Sequence, residues 1–189
     1  AYAEYRFGSG RKKALKKLMH LTFATGFGCG LILNGRPLDI SGEIGHWRVA
    51  ETGPNLFDKE GSLEGHASGG GIMAKAKAFD ELKDFNSIAS LGEAARGGNE
   101  AALKIFHDAA VEAGMICAKM IDFISPDVIT LGTLSFAFPD LVMDKLLAAA
   151  EAESLPHLFQ KTKIISAQLN DRLGDVSSLS AAISAGQRT

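Results

Sequence analysis

LTFATGFGCGLILNGRP, Leu21 to Pro37, sets Gly26, Gly28 and Gly30 at alternate positions between two apolar runs. Leu21 to Ala24 and Gly30 to Leu33 are β-prone, and Asn34-Gly35 after the second run is a strong turn signal. A strand–turn–strand with a glycine-rich tip can cradle an anion on consecutive backbone N–H groups, with the Thr25 hydroxyl beside them. It can equally be a plain hairpin whose glycines permit tight packing. Two other phosphate devices are excluded. No Gly-Lys-Ser/Thr occurs, and the dinucleotide fingerprint has Leu31 where its third glycine belongs, followed by LILNG, a strand rather than a helix.

The 189 residues suit one large domain, with 46% hydrophobic and 22% charged residues, ordinary globular values. A chain of this size buries roughly 70% of its extended surface and needs no staples. The formal charge of −2 creates no field for nucleic acid or anionic lipid. Arg11 to Lys17 is locally basic, which reads as a solvated face. Cys29 and Cys117 have neither CxxC nor Cys/His ligand spacing, so a disulfide framework and a structural zinc site are not expected. A reducing cytoplasm is the expected location. No apolar run approaches the ~20 residues of a membrane span, and no signal peptide opens the chain. AYAEYRF, Ala1 to Phe7, reads as the end of a helix already under way, so the chain is expected to be the later part of something longer.

Outward from the hairpin, Arg36 to Glu60 reads as loop with one strand near Trp47 to Ala50. Ser62 caps a helix running to about Phe79, with SGGG at Ser68 to Gly71 marking close packing or a kink. Asn86 caps a helix to about Arg96. Asn99 caps a long one with apolar positions at Leu103, Phe106, Ala110, Met115, Cys117, Met120, Ile121 and Ile124, and Pro126 lies beyond its end. Asp127 to Thr133 is a buried strand, Leu134 to Glu153 a helix, Lys163 to Ala167 a strand and Val176 to Ala185 a helix. This order gives an α/β fold with mixed pairing and parallel neighbours late in the chain.

Polar chemistry gathers at few places. SGEIGH, Ser41 to His46, carries a carboxylate and an imidazole three residues apart, a weak pattern alone. Glu64 and His66 open the Ser62 helix, where the macrodipole by itself accounts for a carboxylate. Gly132 and Thr133 follow the carboxyl end of a buried strand, the usual ligand crevice of open α/β sheets. His46, His66 and the carboxylates lack standard metal spacing. The G-x-S-x-G elbow of serine hydrolases is missing.

Taken in order, TGFGCGLILNG, GEIGH, GSLEGHASG, SPDVITLGT and GDVSSLSAAI resemble the ROK family of bacterial sugar kinases and sugar-responsive repressors. The resemblance covers nearly the whole chain and implies the C-terminal lobe of an actin/hexokinase-like (ribonuclease H-like) ATPase fold. It implies that Thr25, Gly26, Gly28 and Gly30 form the second phosphate hairpin and that Gly132 and Thr133 lie along the adenosine of ATP. Glu43, His46 and Glu64 match residues that hydrogen-bond sugar hydroxyls, as carboxylates and a neutral imidazole are suited to do. Mg²⁺ is expected on the ATP phosphates, and a homodimer is expected through this lobe.

Three departures qualify this. The family's zinc site joins the GEIGH histidine to three cysteines, but Gly53 to Glu64, GPNLFDKEGSLE, contains none, so no zinc is expected. That loop is expected to be held by packing, through Trp47 and Phe57. The link RPLDIS before GEIGH is short. The family's catalytic Asp precedes the helix resembling AYAEYRF, and that Asp and the first phosphate motif are not in these residues. The fragment alone is therefore expected to be inactive, an N-terminal lobe supplying the base. A sugar-sensing repressor or a non-catalytic pseudo-kinase is the alternative, with no nucleic-acid or membrane contact through this chain.

Overall fold

A computed structural model describes residues 1–186. Five strands form one mixed sheet in the order β3-β2-β1-β4-β5: β1 (Lys17–Phe23), β2 (Phe27–Leu33), β3 (Arg36–Pro37), β4 (Val128–Leu131) and β5 (Lys163–Ser166). β1 and β2 pair antiparallel with Phe23 opposite Phe27, while β4 and β5 continue from β1 in parallel. Between β2 and β3, Asn34 (φ +49°) and Gly35 (φ +80°) adopt the left-handed pair of a two-residue hairpin turn.

The two faces of the sheet follow the two-residue period of its strands. Met19, Leu21, Phe23, Ile129 and Leu131 point into the main core. Leu18, Ile32 and Val128 point the other way, onto Tyr2 and Tyr5 of α1 (Tyr2–Phe7). The main core is covered by helices α2 (Leu63–Ala67), α3 (Gly69–Ala76), α4 (Ile88–Arg96), α5 (Glu100–Ile124), α6 (Thr133–Ala137), α7 (Pro139–Glu153) and α8 (Pro156–Phe159). The last helix, α9 (Leu173–Gly186), packs on α1. Asn99 caps α5 by accepting the Ala102 N–H at 2.9 Å. Ala109, Ala110, Ala113 and Gly114 are small enough to bring α5 against α7, and a Cβ at Gly114 would strike the Leu146 carbonyl oxygen.

Several sequence expectations need correction. The helix expected from Ser62 to Phe79 is broken at Ser68, which accepts the Gly71 N–H at 3.0 Å and caps α3 anew. The helix expected from Leu134 to Glu153 is interrupted at Phe138, since the residue before a proline is driven out of helical geometry. Ser87, not Asn86, caps α4. Near Trp47 there is no strand, only a 3₁₀ turn over Ile44–His46 and a bridge between Arg48 and Ser62.

The loop Gly53 to Glu64 is not held by aromatic packing: Trp47 is 43% and Phe57 71% exposed. Hydrogen bonds hold it instead. Val49 donates to Gly61 at 2.9 Å, the Arg48 guanidinium to the Glu60 carbonyl at 2.7 Å, and His66 Nε2–H to the Thr52 carbonyl at 2.9 Å. Among the described residues no helix is long and apolar enough to cross a membrane.

Candidate active site at the hairpin tip

The tip of the β1–β2 hairpin, Ala24 to Gly26, stands between two groups of polar residues. On one side α3 begins against it: the Gly69 N–H donates to the Ala24 carbonyl at 2.6 Å and the Gly70 N–H to the Thr25 carbonyl at 3.1 Å. A cavity of about 280 Å³ opens there, lined by Thr25, Gly69, Gly70, Asn86, Ser87 and Thr133 among others. Thr25 and Thr133, 108 positions apart, thus face one space. Gly132 is drawn in beside them, its N–H donating to the Leu21 carbonyl at 2.9 Å at the carboxyl end of β1.

On the other side, Glu64 in the first turn of α2 reaches under the tip, and its Oε2 accepts the Phe27 N–H at 3.2 Å. Gly45, between Glu43 and His46, lies so close that a Cβ there would meet the Phe27 carbonyl and stand 2.8 Å from Glu64 Oε2. The GEIGH loop and Glu64 are therefore in contact around the hairpin. Glu43 itself is exposed and borders a separate cavity of about 240 Å³ with Cys29, Ile40 and Trp47. The His46 ring rests 5.9 Å from that of Phe57.

The glycines of the hairpin do different work. The Phe27 N–H is taken by Glu64 and the Cys29 N–H by the Gly42 carbonyl, at 2.9 Å. Alternation along an antiparallel pair then turns the Gly28 and Gly30 amides toward Thr22 and His20 of β1. What remains at the tip is the N–H groups of Thr25 and Gly26, which have no acceptor among the described residues, and the exposed Thr25 hydroxyl. Thr25 lines the cavity, while Gly26 lies against the Glu64 carboxylate. The site residues that sequence reasoning missed are Gly69 and Gly70; SGGG was their only signal, and it read as packing.

No group of three or more His, Cys, Asp or Glu side chains that could hold a metal ion is gathered among the described residues.

Behind the site, His20 is buried in the sheet with Nδ1 3.0 Å from Thr130 Oγ1. The Thr130 hydroxyl donates to the Met19 carbonyl at 3.2 Å, so it accepts from Nδ1–H. Burial pushes this imidazole down to about 4.

The solved structures most relevant to this arrangement fall into two functional groups. A ROK hexokinase from Thermus thermophilus is 24% identical with a TM-score of 0.76, over 91% of this chain and 58% of that one. A ROK family glucokinase from Streptomyces griseus, solved with glucose and AMPPNP, is 25% identical with a TM-score of 0.74, over 93% and 62%. A ROK family transcriptional regulator, a homolog of the E. coli MLC protein, is 21% identical with a TM-score of 0.76, over 88% and 45%. This chain thus spans about half to three fifths of their lengths. No curated protein matches the sequence. The shared architecture is the actin/hexokinase-like fold of these kinases. With a family model matched over residues 1–182, the chain belongs to the ROK family.

Proposed function

We propose that this chain is the C-terminal lobe of an ATP-dependent ROK kinase acting on a hexose or N-acetylhexosamine. The observation that carries this reading is the single cavity lined by both Thr25 and Thr133, at a hairpin tip whose Thr25 and Gly26 N–H groups are unpaired among the described residues. The triphosphate of ATP takes the N–H groups of Thr25 and Gly26 and the Thr25 hydroxyl, and the adenosine runs along Gly132 and Thr133. Gly28 and Gly30 keep the strand behind the tip free of side chains. Mg²⁺ is carried by phosphate oxygens and water.

Glu43, His46 and Glu64 orient the sugar by hydrogen bonds to its hydroxyls, and a site built to pair those hydroxyls discriminates against sugars that leave it unpaired. The sugar hydroxyl oxygen attacks the γ-phosphorus, ADP leaves, and the hydroxyl proton passes to a general base. That base belongs to an N-terminal lobe, the part of the relatives' length that this chain does not span. The assembled protein acts in the cytoplasm as a homodimer, and the 189-residue chain alone does not turn over.

A second reading, a sugar-sensing repressor or pseudo-kinase of the same family, is favoured by the match to the transcriptional regulator and by the zinc-loop sequence without cysteines. One assay separates the two. The whole reading frame is titrated with hexoses and N-acetylhexosamines in the presence of Mg-ATP while ADP release is followed. Saturable, sugar-dependent ADP release supports the kinase; sugar binding without ADP release rejects it in favour of the sensor.

A further inference from the structure

On the far side of the fold from the main core, a polar cleft of about 450 Å³ lies between two loops distant in sequence. Arg11 and Lys12 come from the loop after α1, and Gln168 and Arg172 from the segment after β5. No carboxylate lines this cleft, and Arg11, Lys12 and Arg172 make no ion pair among the described residues. Asp171 is exposed beside Arg172 but is not part of the lining.

Both loops are fixed by one buried carboxylate. Glu4 Oε2 accepts the Ser9 N–H at 2.9 Å and the Ser9 hydroxyl at 2.6 Å, while Oε1 accepts the Leu169 N–H at 2.7 Å. Glu4 is fully buried and does not itself line the cleft. The Arg11 N–H donates to the Gly8 carbonyl at 2.9 Å and the Lys13 N–H to Gly10 at 3.1 Å, which brackets Lys12 in a left-handed conformation at φ +59°. The loop backbone is thus ordered before a ligand arrives, leaving the exposed side chains of Arg11, Lys12 and Arg172 to be ordered on binding. A second cavity of about 360 Å³ shares Phe7, Arg11, Leu169 and Arg172 and continues onto Val176 and Leu179, adding an apolar wall.

We infer that the cleft between Arg11–Lys12 and Arg172 binds a phosphate monoester, the guanidinium groups taking the dianion and Phe7 with Val176 the organic part. Guanidinium forks match phosphate oxygens in pairs. This inference is independent of the nucleotide cavity.

Amide NMR of the full 189-residue chain tests it, with phenyl phosphate and inorganic phosphate as probes and sodium chloride at matched ionic strength as control. Expected are saturable shifts at Gly8, Lys12 and Leu169, with phenyl phosphate at least about threefold tighter than phosphate. Arg11→Gln and Arg172→Gln, both exposed, should each weaken binding by about tenfold. Shifts that match the chloride control, that occur only at Thr25 and Gly26, or that survive Arg172→Gln would overturn the site. Equal affinity for the two probes would overturn the ester assignment.

Discussion

The Glu64 carboxylate accepts the backbone N–H of Phe27 at 3.2 Å, fastening the start of α2 to the first residue of β2. The candidate sugar residue and the candidate phosphate hairpin are therefore one mechanical unit. Replacing Glu64 with Gln leaves a carbonyl oxygen that can still accept from Phe27, so the melting temperature should stay within about 4 °C of wild type. Sugar affinity of the whole protein should fall about tenfold or more, since a hydrogen bond to a charged acceptor contributes about 1.5–3 kcal/mol. Calorimetric titration alongside thermal melts reads both; unchanged affinity removes Glu64 from the sugar site.

Gly45 leaves no space for a side chain between the GEIGH loop and the hairpin. Gly45→Ala drives a methyl group into the Phe27 carbonyl and toward Glu64 Oε2, and the cost of such overpacking is about 1–3 kcal/mol. Urea unfolding should show that loss, and sugar binding should weaken more than nucleotide binding. A variant as stable as wild type would mean that the loop does not press on the hairpin.

Much of this arrangement is legible in the residues themselves. The apolar spacing from Leu103 to Ile124 between Asn99 and Pro126 defines α5, and Asn34-Gly35 announces its turn. The break at Phe138 also had its signal, Pro139, overridden by the apolar pattern on either side. The break at Ser68 is different. A serine followed by glycines can bend, cap or continue a helix, and the choice is made by the Ala24 and Thr25 carbonyls accepting from Gly69 and Gly70, partners more than forty positions away.

The division of labour within TGFGCG was not legible either. Alternate glycines look equivalent in sequence, but strand pairing turns the Gly28 and Gly30 amides into the sheet and leaves Thr25 and Gly26 at the tip. Glu4, in a short helix with no motif, gave no sign that it would join Ser9 to Leu169.

Acid should destabilise the fold in two stages. His20 has its folded pKa pushed down to about 4 by burial, from 6.5. Between those values the unfolded chain binds more protons, so stability falls as pH falls through that window, by up to about 3 kcal/mol. Burial acts to raise the Glu4 pKa, but the hydrogen bonds from Ser9 and Leu169 outweigh it and the net shift is downward from 4.5. Its contribution is complete above that value and is lost as pH drops through the lower folded pKa. Urea midpoints from pH 8 to pH 4 measure the first stage. A flat profile from pH 7 to pH 5 would contradict the neutral buried imidazole.

Thr25 is exposed and its hydroxyl has no protein partner among the described residues, so Thr25→Val should leave stability within about 0.5 kcal/mol of wild type. Mg-ATP affinity should nevertheless fall about tenfold, the loss expected for one hydrogen bond to a charged phosphate. Equal affinities in the two proteins would assign the hydroxyl no part in binding.

The most direct measurement is an amide NMR titration of this chain with the magnesium complex of AMPPNP. The account predicts saturable shifts led by the Thr25 and Gly26 N–H groups and accompanied by Gly132 and Thr133. Saturable binding that leaves Thr25 and Gly26 unmoved would contradict it.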